Sequence, residues 1–148
     1  MKRRSLLGLL ATLPLAQALP AAAATSVQVY KTPSCGCCTS WVDHLKAAGF
    51  AVQVAEVDDT AAVRKRLGVP ERLASCHTAV VEGYALEGHV PAAEVRRLLA
   101  ERPNAAGLAV PGMPVGSPGM EQGGRVQPYQ VVLVGRQGRD SVYARYPK

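Results

Sequence analysis

Aromatic residues are scarce in this sequence, and its basic residues do not gather in one segment. The 148 residues include one Phe, one Trp and five Tyr, and charged residues make up 19% of the chain. Nucleic-acid binding usually needs a basic face with aromatic side chains that stack on bases. The densest basic cluster, Arg64-Lys65-Arg66, is therefore interpreted as a solvated helix face, and nucleic acid is excluded as a partner.

Long apolar runs are absent beyond the first two dozen residues, and a helix that spans a bilayer needs roughly 20 apolar residues. The chain begins with the basic stretch Met1–Arg4, continues with Ser5–Leu19, which carries no charge, and then offers small residues at Ala21–Ala24. This pattern is typical of a cleaved signal peptide, whereas an amphipathic helix would carry charges along one face. We expect residues 1–24 to direct export to the periplasm, and residues 25–148 to form a mature protein without a membrane span.

Two export routes stay open, because Arg3-Arg4 followed by Ser-Leu-Leu also resembles a twin-arginine signal, although ordinary signal peptides often contain adjacent arginines. Loss of Lys2, Arg3 and Arg4 with the leader would lower the formal net charge from +6 to +3. The mature protein is then only mildly basic. Its length suits one domain with its own core and is too short for two.

The order of helices and strands is predicted from apolar periodicity and from Gly and Pro stops. The predicted elements are a strand at 27–30, a helix at 39–48, a strand at 50–57, a helix at 60–67, strands at 77–82 and 84–89, and a helix at 91–103. This β-α-β-α-β-β-α order is typical of a thioredoxin-like fold of the α/β class. Residues 104–128 are predicted to be a long loop rich in Gly and Pro, and residues 130–134 and 141–146 an extra C-terminal β-hairpin.

The segment Cys35-Gly-Cys-Cys38 places three thiols within four residues, which core packing does not explain. The N-terminus of the following helix offers unpaired N–H donors and a partial positive charge, which favour thiolate over thiol. Cys35 and Cys38 have the C-x-x-C spacing of a redox pair, and we expect them to be the catalytic residues. Cys37 adds a third sulfur that a simple disulfide exchanger does not need.

The fourth thiol, Cys76, directly precedes the third predicted strand. Thioredoxin-like proteins place at this point a loop that packs against the reactive cysteines, so we expect Cys35, Cys37, Cys38 and Cys76 to converge on one metal site. One alternative is that Cys76 is an inert buried cysteine. Another is a pair of structural disulfides, although bridges within Cys35–Cys38 would be tight.

Thiolate ligands suit Cu(I), zinc and iron–sulfur clusters. Structural zinc sites usually combine two separated C-x-x-C or C-x-x-H knuckles, and this chain has one, so copper is favoured, and we expect it to bind as Cu(I). Met113 and Met120 in the long loop could add thioether ligands, or they could be ordinary gap-filling side chains. His44, His77 and His89 are interpreted as hydrogen-bonded structural histidines, with His77 the best candidate for an exception because it adjoins Cys76.

Four segments together resemble the small exported copper-resistance proteins of the CopG type, a metal-binding family of formerly unknown function. They are Val29–Cys38, Ser75–Ala79, Gly88–Pro91 and Gly107–Glu121. The resemblance implies a periplasmic thioredoxin-like protein that binds copper as a thiolate-bridged cluster, in which more than one ion can share the sulfurs. It also implies a role in interconverting Cu(I) and Cu(II) during copper detoxification, with Cys35, Cys37, Cys38 and Cys76 matching the family's cysteines.

These residues are consistent with three functions. The first is a copper-binding redox protein that could act as a copper-dependent oxidoreductase and would work with a periplasmic electron donor and with copper efflux or chaperone proteins. The second is a thiol–disulfide oxidoreductase that acts on envelope proteins, with Cys35 attacking and Cys38 resolving. The third is a copper chaperone without catalysis.

Overall fold

The computed structural model describes residues 23–148. The predicted signal peptide at 1–24 lies almost wholly outside the described residues and stays a prediction. Within the described part of the chain, no helix combines the length and the apolar character needed to cross a membrane.

The described residues form an α/β fold, as the sequence predicted. The helices are α1 (Gly36–Ala47), α2 (Ala61–Arg66) and α3 (Ala92–Glu101), and the strands are β1 (Ser26–Lys31), β2 (Ala51–Glu56), β3 (His77–Val81), β4 (Tyr84–Glu87), β5 (Ala105–Ala109), β6 (Tyr129–Gly135) and β7 (Ser141–Tyr146). The β-α-β-α-β-β-α order and the C-terminal hairpin are both observed. The assignment of this core as thioredoxin-like stays a prediction.

One sheet of seven strands, in the order β2-β1-β3-β4-β5-β6-β7, forms the centre of the molecule. Strand β1 is parallel to β2 and antiparallel to β3, and β4 is antiparallel to β3 and parallel to β5. The register pairs Lys31, the last residue of β1, with His77, the first residue of β3. The chain that leaves β1 and the chain that enters β3 therefore meet at the same edge of the sheet.

Strand β5 corrects the prediction that all of residues 104–128 form a loop. Its sequence, Ala-Ala-Gly-Leu-Ala, lacks the β-branched and aromatic residues that favour strands, so local sequence gave no signal. The strand forms because it lies between β4 and β6 and pairs with both. Gly107 permits this packing, since a Cβ at this position would collide with the backbone of Ala85.

Among the element ends that differ from the prediction, two lie near the cysteines. Helix α1 begins at Gly36 and not at residue 39, so Cys37 and Cys38 belong to its first turn and Cys35 is its N-cap residue. Strand β4 ends at Glu87 and does not continue to His89, because Gly88 adopts φ +70° and turns the chain.

Helix α1 is held to the sheet by wholly buried side chains. Trp41 and Leu45 are inaccessible to solvent and belong to the same core cluster as Val29 of β1 and Leu98 of α3. The indole Nε1 of Trp41 donates a hydrogen bond of 2.9 Å to the carbonyl oxygen of Val90. A buried indole N–H needs such a partner, and this bond links α1 to the segment between β4 and α3.

The interpretation of Arg64-Lys65-Arg66 as a solvated helix face is wrong for Arg64. Its guanidinium is buried and donates to Glu87 at 3.2 Å and to Glu71 at 2.9 Å. Glu87 is also wholly buried, and its carboxylate accepts further hydrogen bonds from the Ser75 backbone N–H and the Thr78 hydroxyl, at 2.7 and 2.6 Å. The paired charges therefore tie α2 and β4 to the residue that precedes Cys76.

Replacing Glu87 with Gln should destabilise the protein by about 3 kcal/mol, because it removes the buried partner of the Arg64 charge and leaves that charge paired only with the exposed carboxylate of Glu71. The matched control is Glu71→Gln, whose carboxylate contacts the same guanidinium but is 78% exposed; it should cost less than about 1 kcal/mol. Urea denaturation of both variants provides the measurement. Equal losses in the two variants would contradict a structural role for the Glu87 charge.

Candidate metal centre

Three of the four cysteines are positioned by the start of helix α1. Cys35 caps the helix with extended backbone angles, and its N–H donates to the carbonyl of Thr32 at 3.2 Å, which closes the turn that follows β1. Cys37 and Cys38 follow in the first helical turn. The free N–H groups and the positive end of the helix dipole therefore lie beside three sulfurs and favour negative charge there.

Cys35 and Cys38 are joined by a disulfide, with their Cα atoms 5.4 Å apart. The C-x-x-C spacing thus permits the bond that a redox pair requires. Cys37 and Cys76 remain free thiols, so the alternative of two structural disulfides does not describe this structure. The catalytic role assigned to Cys35 and Cys38 stays a prediction.

All four sulfurs converge, as expected from the position of Cys76 before β3. The Cys37 sulfur lies 3.6 Å from that of Cys35 and 3.7 Å from that of Cys76. The four Sγ atoms lie within 4.8 Å of one another. Cys38 is buried and the other three cysteines are partly exposed, so the cluster is open to an ion from one side. Cys76 is therefore not a buried cysteine remote from the other thiols, and its role as a metal ligand stays a prediction.

Burial and the neighbouring Cys37 sulfur raise the pKa of the Cys76 thiol to about 12. In the metal-free protein at neutral pH this thiol therefore keeps its proton. A metal ion must displace that proton to bind the sulfur, so metal affinity at Cys76 rises with pH.

Two histidines lie against Cys76. Nδ1 of His77 is 3.4 Å and Nε2 of His89 is 3.2 Å from its sulfur, and both rings are wholly buried. His77 was the expected exception among the histidines. His89 was predicted to be a purely structural histidine, and its position beside Cys76 was not expected. Gly88 turns the chain after β4 and brings the His89 ring next to the Cys76 sulfur.

His44 has the structural role that the sequence predicted. Its Nε2 accepts a hydrogen bond of 3.0 Å from the backbone N–H of Ala92, the first residue of α3. The ring thus links α1 to the start of α3. His44 can therefore serve as a control in experiments on the two histidines that contact the cysteine cluster.

The Gly- and Pro-rich segment that follows β5 packs around the cluster. The Gly112 N–H donates to the carbonyl of Ala74 at 2.9 Å, and the Pro118 carbonyl lies 2.8 Å from Nδ1 of His89. Gly119 adopts φ +86° and lies directly against the backbone of Trp41 in α1. Met113 in this segment is 52% exposed, and its suggested thioether ligation stays a prediction, as does that of Met120.

The fold and the cluster define a class: a small α/β protein with four convergent cysteines that could hold a metal ion. Residues 73–120 match a family described as "Protein of unknown function, DUF411". No curated protein matches the chain significantly.

Two solved structures resemble the chain along most of its length. The structure titled "Copper resistance protein copG- Form 2" is 50% identical, covers 84% of this chain and 100% of its own, and has a TM-score of 0.81. The structure titled "Copper resistance protein copG- Form 1" is also 50% identical, covers 85% of this chain and 100% of its own, and has a TM-score of 0.80. The chain belongs to the family of the copper resistance protein CopG.

Metal-free protein should lose stability in mild acid because its histidines are neutral in the folded state. Burial and the nearby His89 lower the pKa of His77 from 6.5 to about 3, and burial lowers the pKa values of His44 and His89 as well. A histidine with a lowered folded pKa contributes stability above the unfolded pKa, and this contribution is lost as the pH falls below it. His77 alone should account for about 2 kcal/mol between pH 7 and pH 5.

Urea denaturation of the metal-free protein across this pH range measures the loss. In His77→Phe, which retains a ring against Trp41, the dependence on pH should become shallower by about the same 2 kcal/mol. An unchanged slope in this variant would show that His77 is not the group that resists protonation.

Proposed function

We propose that this chain is a periplasmic copper-binding protein that interconverts Cu(I) and Cu(II) during copper resistance. The observation that carries the proposal is the convergence of four cysteine sulfurs within 4.8 Å, two of them joined as a disulfide. Membership of the CopG family supports copper as the ion, and copper is then the substrate of the protein.

Sulfur chemistry favours Cu(I) in the reduced form of this cluster. Thiolates are soft ligands that select Cu(I) over harder cations. Sulfurs separated by 3.6 and 3.7 Å are close enough for one ion to contact two of them, and one thiolate can bridge two ions. The reduced cluster is therefore suited to a thiolate-bridged group of Cu(I) ions held by Cys35, Cys37, Cys38 and Cys76.

The Cys35–Cys38 pair supplies the electrons for a change in the oxidation state of copper. When the two thiols form a disulfide, they release two electrons and two protons. Two Cu(II) ions accept those electrons and become two Cu(I) ions, so the exchange balances without another reactant. After this forward exchange, a periplasmic electron donor would reduce the disulfide and restore the dithiol for a new cycle. The reverse exchange would pass one electron from each of two Cu(I) ions, together with two protons, to the disulfide, and would yield two Cu(II) ions and the dithiol.

The leader and the disulfide support a periplasmic location. Disulfides persist in the bacterial periplasm and are rare in reducing compartments, and residues 1–24 have the pattern of a signal peptide. Copper efflux or chaperone proteins of that compartment would receive the ion.

A thiol–disulfide oxidoreductase is the second candidate. The observation that favours it is the disulfide Cys35–Cys38 at the start of α1, where the helix dipole stabilises the attacking thiolate. Such an enzyme would exchange disulfides with envelope proteins, and its activity would not depend on copper. A copper chaperone without catalysis would bind Cu(I) and leave the oxidation state of the four cysteines unchanged.

Anaerobic titration of the fully reduced protein with Cu(I), against a competing chelator, should show binding of at least one equivalent. Replacement of all four cysteines with Ser should abolish binding, and Cys76→Ser alone should weaken it at least tenfold, because the sulfur that joins the distal strand to the helix is lost. Ser40→Ala, a change in α1 away from the sulfurs, is the control. Reduced protein that binds no Cu(I) would refute the proposed function.

Addition of two equivalents of Cu(II) to the reduced protein without oxygen should yield Cu(I) and lower the number of free thiols from four to two, the state in which Cys37 and Cys76 are free. Electron paramagnetic resonance follows the loss of Cu(II), and thiol counting with peptide mapping after denaturation identifies the disulfide. Cys38→Ser should be unable to form the Cys35–Cys38 bond.

Copper that binds while all four thiols persist would favour the chaperone. Efficient reduction of insulin disulfides without copper, together with trapping of mixed disulfides at Cys35 in Cys38→Ser, would favour the oxidoreductase.

A further inference from the structure

Two tyrosine rings stack at the open end of the C-terminal hairpin. The register of β6 and β7 places Tyr129, the first residue of β6, opposite Tyr146, the last residue of β7. The ring centroids are 4.9 Å apart and the ring planes differ by 6°. Parallel rings at this separation are offset, so carbon atoms of one ring face carbon atoms of the other. No other pair of tyrosines among the described residues is stacked, and the proposed copper chemistry does not use this pair.

A buried carboxylate lies against one of the two phenols. The hydroxyl of Tyr146 donates a hydrogen bond of 2.7 Å to Oε1 of Glu94, whose side chain is 1% exposed. Nζ of Lys148 donates to the same oxygen at 2.6 Å. The second oxygen, Oε2, is buried and has no hydrogen-bond partner among the described residues, since the guanidinium of Arg97 is 3.7 Å away. The carboxylate therefore retains an acceptor position that its neighbours do not use.

At neutral pH the phenol and the carboxylate have the protonation states of a proton donor and a proton acceptor. Burial raises the pKa of Tyr146, and the hydrogen bond to Glu94 raises it further, so the phenol keeps its proton. Burial alone would raise the pKa of Glu94, but the hydrogen bonds from Lys148 and Tyr146 outweigh it and lower this pKa. A phenol that loses an electron becomes a strong acid, and its proton can then pass along the existing hydrogen bond to a base within reach.

We propose that Tyr129 and Tyr146 are a modification site at which one-electron oxidants join the two rings as dityrosine. Each side chain loses one electron and its phenolic proton, and the proton of Tyr146 passes to Oε1 of Glu94. The two radicals then form one bond between ring carbons beside the phenolic oxygens, and the hydrogens of these carbons move to the oxygens. The product has lost two hydrogen atoms in total, which two hydroxyl radicals take up to become two molecules of water.

Copper and hydrogen peroxide together supply this oxidant. One electron from Cu(I) splits hydrogen peroxide into a hydroxide ion and a hydroxyl radical, and Cu(II) is left. This source rests on the proposed function, whereas the coupling of the rings needs no bound copper.

The cross-link would close the β6–β7 hairpin into a covalent ring, because residues 136–140 already join the other end of the two strands. Strand β7 is the last strand of the sheet. The link would therefore hold the exposed edge of the sheet in place under oxidative conditions, and, like a disulfide, it would restrict the unfolded chain.

Photo-oxidation with tris(bipyridine)ruthenium and persulfate tests the coupling without copper. Dilute protein should develop the fluorescence of dityrosine, stay monomeric and lose the mass of two hydrogen atoms. Trypsin should then release residues 126–136 joined to residues 146–148, whereas Tyr143 lies in a separate peptide, residues 140–145. Tyr129→Phe and Tyr146→Phe should each abolish this linked peptide pair.

Tyr143→Phe is the matched control, because the Tyr143 hydroxyl also donates to a carboxylate, that of Glu101 at 2.7 Å, but its ring is not stacked on another tyrosine. This variant should keep the wild-type yield of dityrosine. Dityrosine that persists in Tyr129→Phe, or wild-type links that form at other tyrosines or only between molecules, would overturn the inference.

Protein loaded with Cu(I) and treated with hydrogen peroxide should give the same linked peptides. Coupling by photo-oxidation but not by copper and peroxide would overturn copper as the source of the oxidant and would leave the tyrosine pair confirmed. Failure of the protein to bind Cu(I) would refute the proposed function alone, since the photo-oxidation experiment contains no metal bound to the protein.

Glu94→Gln tests the proton acceptor, because the amide has the size of the carboxylate but does not take up a proton. The yield of dityrosine per light pulse should fall about tenfold. Glu101→Gln makes the same change at the carboxylate that accepts from Tyr143, and it should leave the yield unchanged. If loss of the Lys148 ion pair unfolds the Glu94 variant, wild-type protein in D2O provides a second measurement, in which the yield should fall because a deuteron moves with the electron. Equal yields in the two variants, or an absent isotope effect, would overturn the role of Glu94.

Discussion

The antiparallel pairing of β1 with β3 is the constraint on which the whole centre depends. Its register places Lys31 opposite His77, so the chain that continues to Cys35 and the chain that arrives from Cys76 meet at one edge of the sheet. A slip of one residue would turn the side chains of β3 to the opposite face and separate His77 from the sulfurs. Cys37 and Cys76 are 39 residues apart in the sequence. The register of the two strands is therefore what brings the sulfur ligands into one pocket.

Contacts from three directions hold Cys76 in place before any ion arrives. The buried Glu87 carboxylate accepts the N–H of the preceding residue, Gly112 pairs with the backbone at Ala74, and the two imidazoles pack against the sulfur. A donor that is already ordered loses little conformational freedom on binding. The surrounding network therefore contributes to metal affinity without touching the metal.

The elements and the four cysteines could be predicted from sequence because their signals are local: apolar periodicity, Gly and Pro stops, and a dense run of thiols. Three features could not be predicted from sequence, because each depends on contacts with a distant part of the chain. Strand β5 has weak intrinsic preference and forms by pairing with its neighbours, and Arg64 is buried because Glu87, 23 residues away, neutralises it. His89 reaches the sulfur through the left-handed turn at Gly88, which a lone histidine in a sequence does not reveal.

Trp41 provides an intrinsic fluorescent probe of the metal pocket. It is the only tryptophan of the sequence, it is wholly shielded from water, and its indole lies 4.4 Å from the imidazole of His77. All indole emission of the molecule therefore originates one side chain away from the thiols. A heavy or paramagnetic ion in the pocket, or a proton on that imidazole, would quench or shift this emission, so the occupancy of the pocket can be read by fluorescence without attaching a dye.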